Sequence, residues 1–297
     1  MTFGVTIPTY KREPELRRCV SSIVAQTVLP LELIVVDDDC LQVSMVDWMQ
    51  QECMSAGVEL RYYRKSIEGG DRGSSQSRNL ALEKTSADAM VVLDDDIVLE
   101  PYFFSSLFQT WSEFEGAHLL GVGGIITNNR PIGLFERLFR WVFCLRSQKQ
   151  WDVTGVGYQV WDDGIQVPTK GAYAHGGVFA YDVAHLKELG GFTVFSLGRN
   201  ALEDVDFFLR AKQANLHTVV DPGARALHEH TPTARERSFV TGKKETMNRF
   251  KIYKMHGRKG VFGRLWFYWS TIGWILKTVM SLRFKKAIGM FLPLIRL

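Results

Sequence analysis

The chain has 297 residues, 46% of them hydrophobic and 23% charged, with a net charge of +4. This is long and apolar enough for a large core, and it excludes a disordered or fibrous chain. The charge is uneven: Arg235 to Leu297 holds 15 Lys or Arg against two acids, leaving the first 234 residues at −9. An acidic body is a poor nucleic-acid surface, and a basic tail calls for an anionic partner.

Phe3–Ile7 is a short apolar run closed by Pro8 and reads as a strand. Glu13–Gln26 places Leu16, Val20, Ile23 and Val24 at helical spacing. Leu31–Val36 reads as a second buried strand running into Asp37-Asp38-Asp39. Val43–Ala56 is helix-like, Val58–Tyr63 strand-like, Ser77–Thr85 a short helix and Ala89–Leu93 a strand. Pro101 precedes a helix over Tyr102–Glu115, and Leu119–Ile126 is a further strand. Asn128–Ala174 is less regular. Its Trp141, Trp151 and Trp161 fit either stacking on a bound ring or core packing. Glu203–Ala214 reads as a helix and His217–Val220 as a late strand. Strands alternating with helices predict an α/β fold with a mostly parallel, Rossmann-like sheet flanked by helices. Ligands then bind beyond the C-terminal strand ends, where both acidic clusters fall.

The tail is different. Val261–Leu282 interleaves aromatic and apolar residues with Arg264 and Lys277. Its uncharged stretch, Leu265 to Leu276, is short of the ~20 residues a span needs. The pattern fits amphipathic helices in a membrane interface, helped by Arg283, Lys285 and Lys286. A helical pair packed on the body or in a homo-oligomer contact, and a tilted span, are the other readings. Met1–Gly4 carries no basic-then-apolar signal, and Cys19, Cys40, Cys53 and Cys144 show no CxxC spacing. A reducing, cytoplasmic setting with free thiols is therefore expected, at the inner face of the membrane if the tail binds lipid.

Three groups of residues point to chemistry. Asp94-Asp95-Asp96 ends a buried strand, where adjacent like charges repel and burial is costly. Alone it fits a solvated acidic turn or a cation site. In an extended chain Asp94 and Asp96 share a face, and two hard oxygen ligands suit Mg2+ or Mn2+ held against a nucleotide diphosphate. Asp95 points the other way, toward a structural hydrogen bond or a ligand contact. Glu203-Asp204-Val205-Asp206 starts a helix after the Ser196-Leu197-Gly198 loop, with more acids than a cap needs. A carboxylate there can take a proton from an attacking hydroxyl. His228 and His230 are two apart, and with two carboxylates either completes a reasonable Mn2+ set. Arg78 can pair with phosphate or sit on an exposed helix face.

In this order the motifs resemble the family 2 glycosyltransferases of the GT-A fold, over roughly residues 3–232. Thr6-Ile7-Pro8-Thr9-Tyr10 is similar to that family's opening strand and turn, and Val35-Val36-Asp37-Asp38 to its second strand. Ser77-Arg78-Asn79 is similar to its Ala-Arg-Asn element, Leu93-Asp94-Asp95-Asp96 to its DxD motif, and Gly190-Gly191-Phe192 to the glycine pair before the acceptor loop. Glu203 to Arg210 is similar to its ED motif with a trailing arginine.

The resemblance implies an inverting transfer of a sugar from a nucleotide diphosphate, UDP by family frequency, to a glycan or lipid-linked acceptor. It assigns the metal to Asp94 and Asp96, with His228 as third ligand, and the catalytic base to Asp204. Asp38 is implied to contact the base or ribose, with Pro8, Tyr10, Arg78 and Asp95 completing the donor site. Residues 1–126 then form the nucleotide-sugar half, 127–234 the acceptor and catalytic half, and 235–297 the helical extension. Short strings such as Asp94 to Pro101 look most like the galactofuranosyl-transferring branch. Asp38-Asp39-Cys40 lacks the frequent Gly-Ser, and the absence of Gln-x-x-Arg-Trp speaks against a processive synthase. Nucleotidyl transfer is the rival enzyme class, but Gly4–Arg12 offers no glycine-rich triphosphate loop. A non-catalytic sugar-nucleotide binder or membrane scaffold is the other rival, against which the complete acidic set argues.

Overall fold

A computed structural model describes residues 1–38, 40–66, 72–130, 132–147, 149–195, 202–230 and 238–296. Asp39 and the Ser196-Leu197-Gly198 loop lie outside the described residues. The first half runs β1 (Phe3–Thr9), α1 (Glu13–Val24), β2 (Glu32–Asp37), α2 (Val43–Ala56), β3 (Glu59–Arg64), α3 (Ser74–Lys84), β4 (Ala89–Leu93), β5 (Ile97–Leu99), α4 (Phe103–Phe114) and β6 (Leu119–Ile126). There follow α5 (Leu134–Val142), β7 (Asp152–Val153), β8 (Gln159–Val160), β9 (Thr169–Gly171), β10 (Val178–Asp182), α6 (Val183–Glu188), α7 (Glu203–Gln213) and β11 (His217–His228). The extension is α8 (Ser238–His256), α9 (Val261–Met280) and α10 (Phe284–Leu294).

The central sheet has the order β3-β2-β1-β4-β10-β6-β11-β5, with β9 also on β11. Strands β1, β2, β3, β4, β6 and β11 share one direction, while β5, β9 and β10 oppose it. The expected mostly parallel α/β sheet is borne out. Strand β10 inserts between β4 and β6, so one sheet crosses the boundary drawn at residue 126. The strands are apolar on both faces because both are covered. Leu33, Val35 and Val91 pack with α1, α2 and α4, whereas Ile34, Val36, Met90 and Val92 pack with α3, α6 and α7. A third cluster, including Val156, Tyr158, Tyr253, Phe267 and Leu294, docks the extension on the body.

Three elements differ from the sequence reading. Strand β11 runs on to His228 through a register shift between Val220 and Arg225, so Pro222 and Gly223 interrupt the pairing without ending the strand. Helix α3 starts three residues early, at Ser74, after Gly73 at φ 129°. The irregular middle contains α5, whose Trp141 is exposed, while Trp151 is fully buried. All four cysteines are free.

Candidate active site

The strand register builds the site. Pairing of Pro8 with Val36 aligns the ends of β1 and β2, and Asp38 N–H donates to Thr9 O at 3.0 Å. Strand β4 ends alongside them at Leu93, and the aspartate triplet follows. In the β11–β5 pair His228 lies opposite Ile97, which brings it beside Asp96. The positions are over a hundred residues apart, so only sheet pairing makes them neighbours. A cleft of about 370 Å3 results, lined by Pro8, Tyr10, Arg12, Asp38, Arg78, Asp94, Asp95, Asp96, Glu203, Asp204 and His228, among others. All nine residues assigned from sequence border this one cavity.

Asp94, Asp96 and His228 each offer a ligand atom, and these atoms lie within 4.8 Å of one another. Asp96 Oδ1 is 3.1 Å from His228 Nε2. Each ligand has its own support. Arg78 holds Asp94 at 3.1 Å, Arg12 holds Asp96 at 3.1 Å, and the His228 main chain is bracketed by Asn128 at 2.8 and 3.2 Å. Such supports orient ligands before a metal arrives. Two hard oxygens and an imidazole fit Mn2+ or Mg2+. Among the described lining residues, six carboxylates face two guanidiniums. A diphosphate is repelled from so acidic a cleft unless a cation accompanies it, which the donor set can hold.

Asp95 turns away from the ligand face. It accepts from Thr9 Oγ1 at 3.0 Å and Arg12 at 2.8 Å. Burial and its acidic neighbours push its carboxyl up to about 6, against the pull of Arg12. Asp95 therefore carries the structural hydrogen bonds that formed one of its two expected roles. Arg12, buried between Asp95 and Asp96, was missed by sequence reasoning. A lone arginine before a helix carries no signal until the triplet is folded over it.

Arg78 is buried near the start of α3, and its guanidinium divides between Asp94 and Glu203, each at 3.1 Å. Glu203 also accepts from Ser74 Oγ at 2.6 Å. Asp204 differs, since its carboxylate accepts from the neighbouring Val205 N–H at 2.8 Å. Burial raises both carboxyls above their ordinary range, and the Arg78 charge only partly counters this. Glu203 is thus fastened to Arg78 and Ser74, and Asp204, bonded to its own helix start, borders the same cleft. Leu202, at φ 79°, turns the chain into α7 so that both start the helix.

Gly176 and Gly177 leave the space these carboxylates fill. An added Cβ at Gly177 would stand 2.6 Å from Asp94 Oδ2, and one at Gly176 would stand 2.8 Å from Asp204 Cβ. Asp38 accepts from Gly73 N–H at 3.1 Å and pairs with Lys65 at 2.6 Å. Tyr10 lies between the cations of Lys11 and Arg72, 5.2 and 5.6 Å from its ring centre. His230, the alternative ligand, stacks on His228 with ring centres 3.9 Å apart.

The model of the family described as "Glycosyl transferase family 2" matches residues 4–160. "Glycosyltransferase GlyA" of Streptococcus pneumoniae serotype 4 is 28% identical over 131 residues, 44% of this chain and 18% of that protein. The match thus spans about a fifth of that relative's length. Among solved structures, the mannosyltransferase PcManGT from Pyrobaculum calidifontis, in complex with GDP-Man and Mn2+, superposes with a TM-score of 0.59. That alignment is 13% identical and covers 94% of this chain and 75% of that one. GalNAc-T7 with UDP, GalNAc and Mn2+ gives 0.64 at 14% identity, covering 86% of this chain and 48% of that one. Both structures are alike in fold.

Proposed function

The chain belongs to glycosyl transferase family 2, and from that premise we propose that it is an inverting enzyme moving a sugar from a UDP-linked donor to a glycan or lipid-linked glycan acceptor. The observation that carries this reading is the convergence of Asp94, Asp96 and His228 in the same cleft as Asp204. Asp94, Asp96 and His228 would hold Mn2+ or Mg2+, which when bound neutralises charge on the leaving diphosphate. Asp38, Pro8 and Tyr10 line the cleft and would contact the nucleoside. Arg78 and Arg12 keep the acidic side chains in place, so little reorganisation accompanies reaction. Asp204 takes the proton of the acceptor hydroxyl as that oxygen attacks the anomeric carbon from the face opposite the diphosphate. Burial raises its basicity, which strengthens it as a proton acceptor.

The extension supports a membrane-resting enzyme at the cytoplasmic face. No helix among the described residues is long and apolar enough to cross a membrane. On α9, Phe262, Leu265, Trp269 and Leu276 are exposed beside Arg264. This is the pattern of a helix lying in the lipid interface.

The test is Mn2+-dependent hydrolysis and transfer across a panel of UDP- and GDP-sugars. One donor should be consumed, and chelation should stop the reaction. Asp204→Asn should lower transfer by a factor of about 100 to 10,000 while the donor still stabilises the protein thermally. Wild-type turnover by that variant removes Asp204 as base. Release of pyrophosphate from a nucleoside triphosphate favours nucleotidyl transfer instead, and no metal-dependent consumption of any donor favours a scaffold.

A further inference from the structure

Helix α5 belongs to the catalytic body, yet it is apolar on two sides. Phe139 and Phe143 turn inward, and Phe143 stacks on Trp269 of α9 with ring centres 5.0 Å apart. Gly273 of α9 admits that ring, because an added Cβ there would stand 2.3 Å from it. Trp269 Nε1 donates to Val142 O at 2.7 Å, Trp266 Nε1 to Cys144 O at 3.3 Å, and Lys277 bonds Glu136. The two helices are therefore fastened together. The opposite side of α5 carries Leu134, Phe135, Leu138 and Trp141, between 55% and 84% exposed. Their spacing of one, four and seven residues makes a single stripe. A groove of about 620 Å3 opens between the helices, lined by Trp141, Val142, Cys144, Arg146 and Trp266.

We infer that α5 and α9 together form one lipid-facing surface, and that its partner is a bilayer carrying anionic headgroups. This rests on the lipid contact proposed above for the extension and adds an internal helix of the catalytic body to it. The charge selects the partner. Within residues 132–147 and 238–296 the acids are Glu136 and Glu245, and both are tied to cations of the fold, Glu136 to Arg140 and Lys277, Glu245 to Arg249 and Lys286. Arg137, Arg146, Arg258, Arg264, Arg283 and Lys285 are exposed in these same segments, and Arg146 lies 5.9 Å from the Trp141 ring. Aromatic and aliphatic residues accompanied by cations match an anionic interface. Ile132, just before α5, lines a second cavity with Trp161 and Ile125, and Asn128 bonds the His228 main chain.

The 297-residue chain is sedimented with vesicles of phosphatidylcholine alone and of an equimolar mixture with phosphatidylglycerol. Binding should favour the anionic vesicles by at least tenfold and weaken with salt. Leu134→Gln with Leu138→Gln should lower that partition about tenfold or more, as should Phe262→Gln with Leu265→Gln, each burying less apolar surface. Hydrolysis of the soluble donor should be unchanged in both pairs, which separates loss of membrane contact from loss of folding or of the active site. An α5 pair that binds like wild type while the α9 pair does not overturns the inference and leaves the extension alone on lipid. A wild-type chain that ignores anionic vesicles, or forms a dimer that the α5 pair dissociates, overturns it as well. Absence of donor hydrolysis in the wild type bears on the enzymatic reading and not on this surface.

Discussion

Gly177→Ala tests the metal site without replacing any of its three proposed ligands. The added Cβ would stand 2.6 Å from Asp94 Oδ2 and 2.8 Å from its Cγ. Ordinary contact starts at 3.4 Å, so moving from 2.6 to 3.4 Å requires the carboxylate to withdraw by about 0.8 Å. It can do so, because the Asp94 side chain is 39% exposed. Gly177 is not in the left-handed region, so alanine adds no backbone strain. Metal–ligand distances tolerate about 0.2 Å. A catalytic arrangement misplaced by ~1 Å loses about 100-fold in rate. Donor hydrolysis at fixed Mn2+ should therefore fall about 100-fold, and the Mn2+ midpoint should rise at least tenfold. The melting temperature should move by no more than about 2 °C. The assay is a Mn2+ titration of initial rate, with thermal unfolding alongside. Gly116→Ala is the control, since nothing lies within 4 Å of its added Cβ. A Gly177→Ala protein with the wild-type Mn2+ midpoint and rate would show that Asp94 is not positioned as a ligand.

Two further outcomes follow from the titrating carboxylates. Burial raises Asp204, and a protonated base cannot accept, so kcat/KM should decline on acidification starting above the ordinary carboxylate value near 4. An acid limb at or below about 4 would refute the buried-base assignment. Asp206 is the opposite case. Burial pushes its carboxyl up, but bonds from His256, Thr193 and Arg210, at 2.7, 2.6 and 3.0 Å, outweigh that and hold it below its ordinary range. Its stabilisation is present above the unfolded value near 4 and disappears as pH falls through the lower folded value. Asp206→Asn breaks a buried pair that ties α7 to α8, and should cost about 3 kcal/mol at pH 7, or ~5 °C in melting temperature. Urea unfolding at pH 7 and near pH 3 should show the difference shrinking with acid. An equal cost at both pH values would locate the effect in packing.

Local sequence determined most of the framework. The apolar runs at Phe3–Ile7, Ala89–Leu93 and Leu119–Ile126, short and rich in β-branched residues, became central strands, and α2 runs from Val43 to Ala56 as read. The acidic clusters at strand ends, with the helix starting at Glu203, placed the chemistry at one edge of the sheet. Short-range pattern did not reach further. Whether Asp94 and His228 share a site depends on the pairing of β11 with β5, a contact across more than a hundred residues. The burial of Arg12 between Asp95 and Asp96, the division of Arg78 between Asp94 and Glu203, and the space left by Gly176 and Gly177 all arise from elements meeting. Helix α5 shows the same limit. The sequence reading left this stretch irregular; the helix has two apolar sides, and only the docking of α9 on Phe143 decides which is covered and which faces out. A sequence specifies which residues prefer burial or an opposite charge, but the partner that satisfies each preference is chosen in three dimensions.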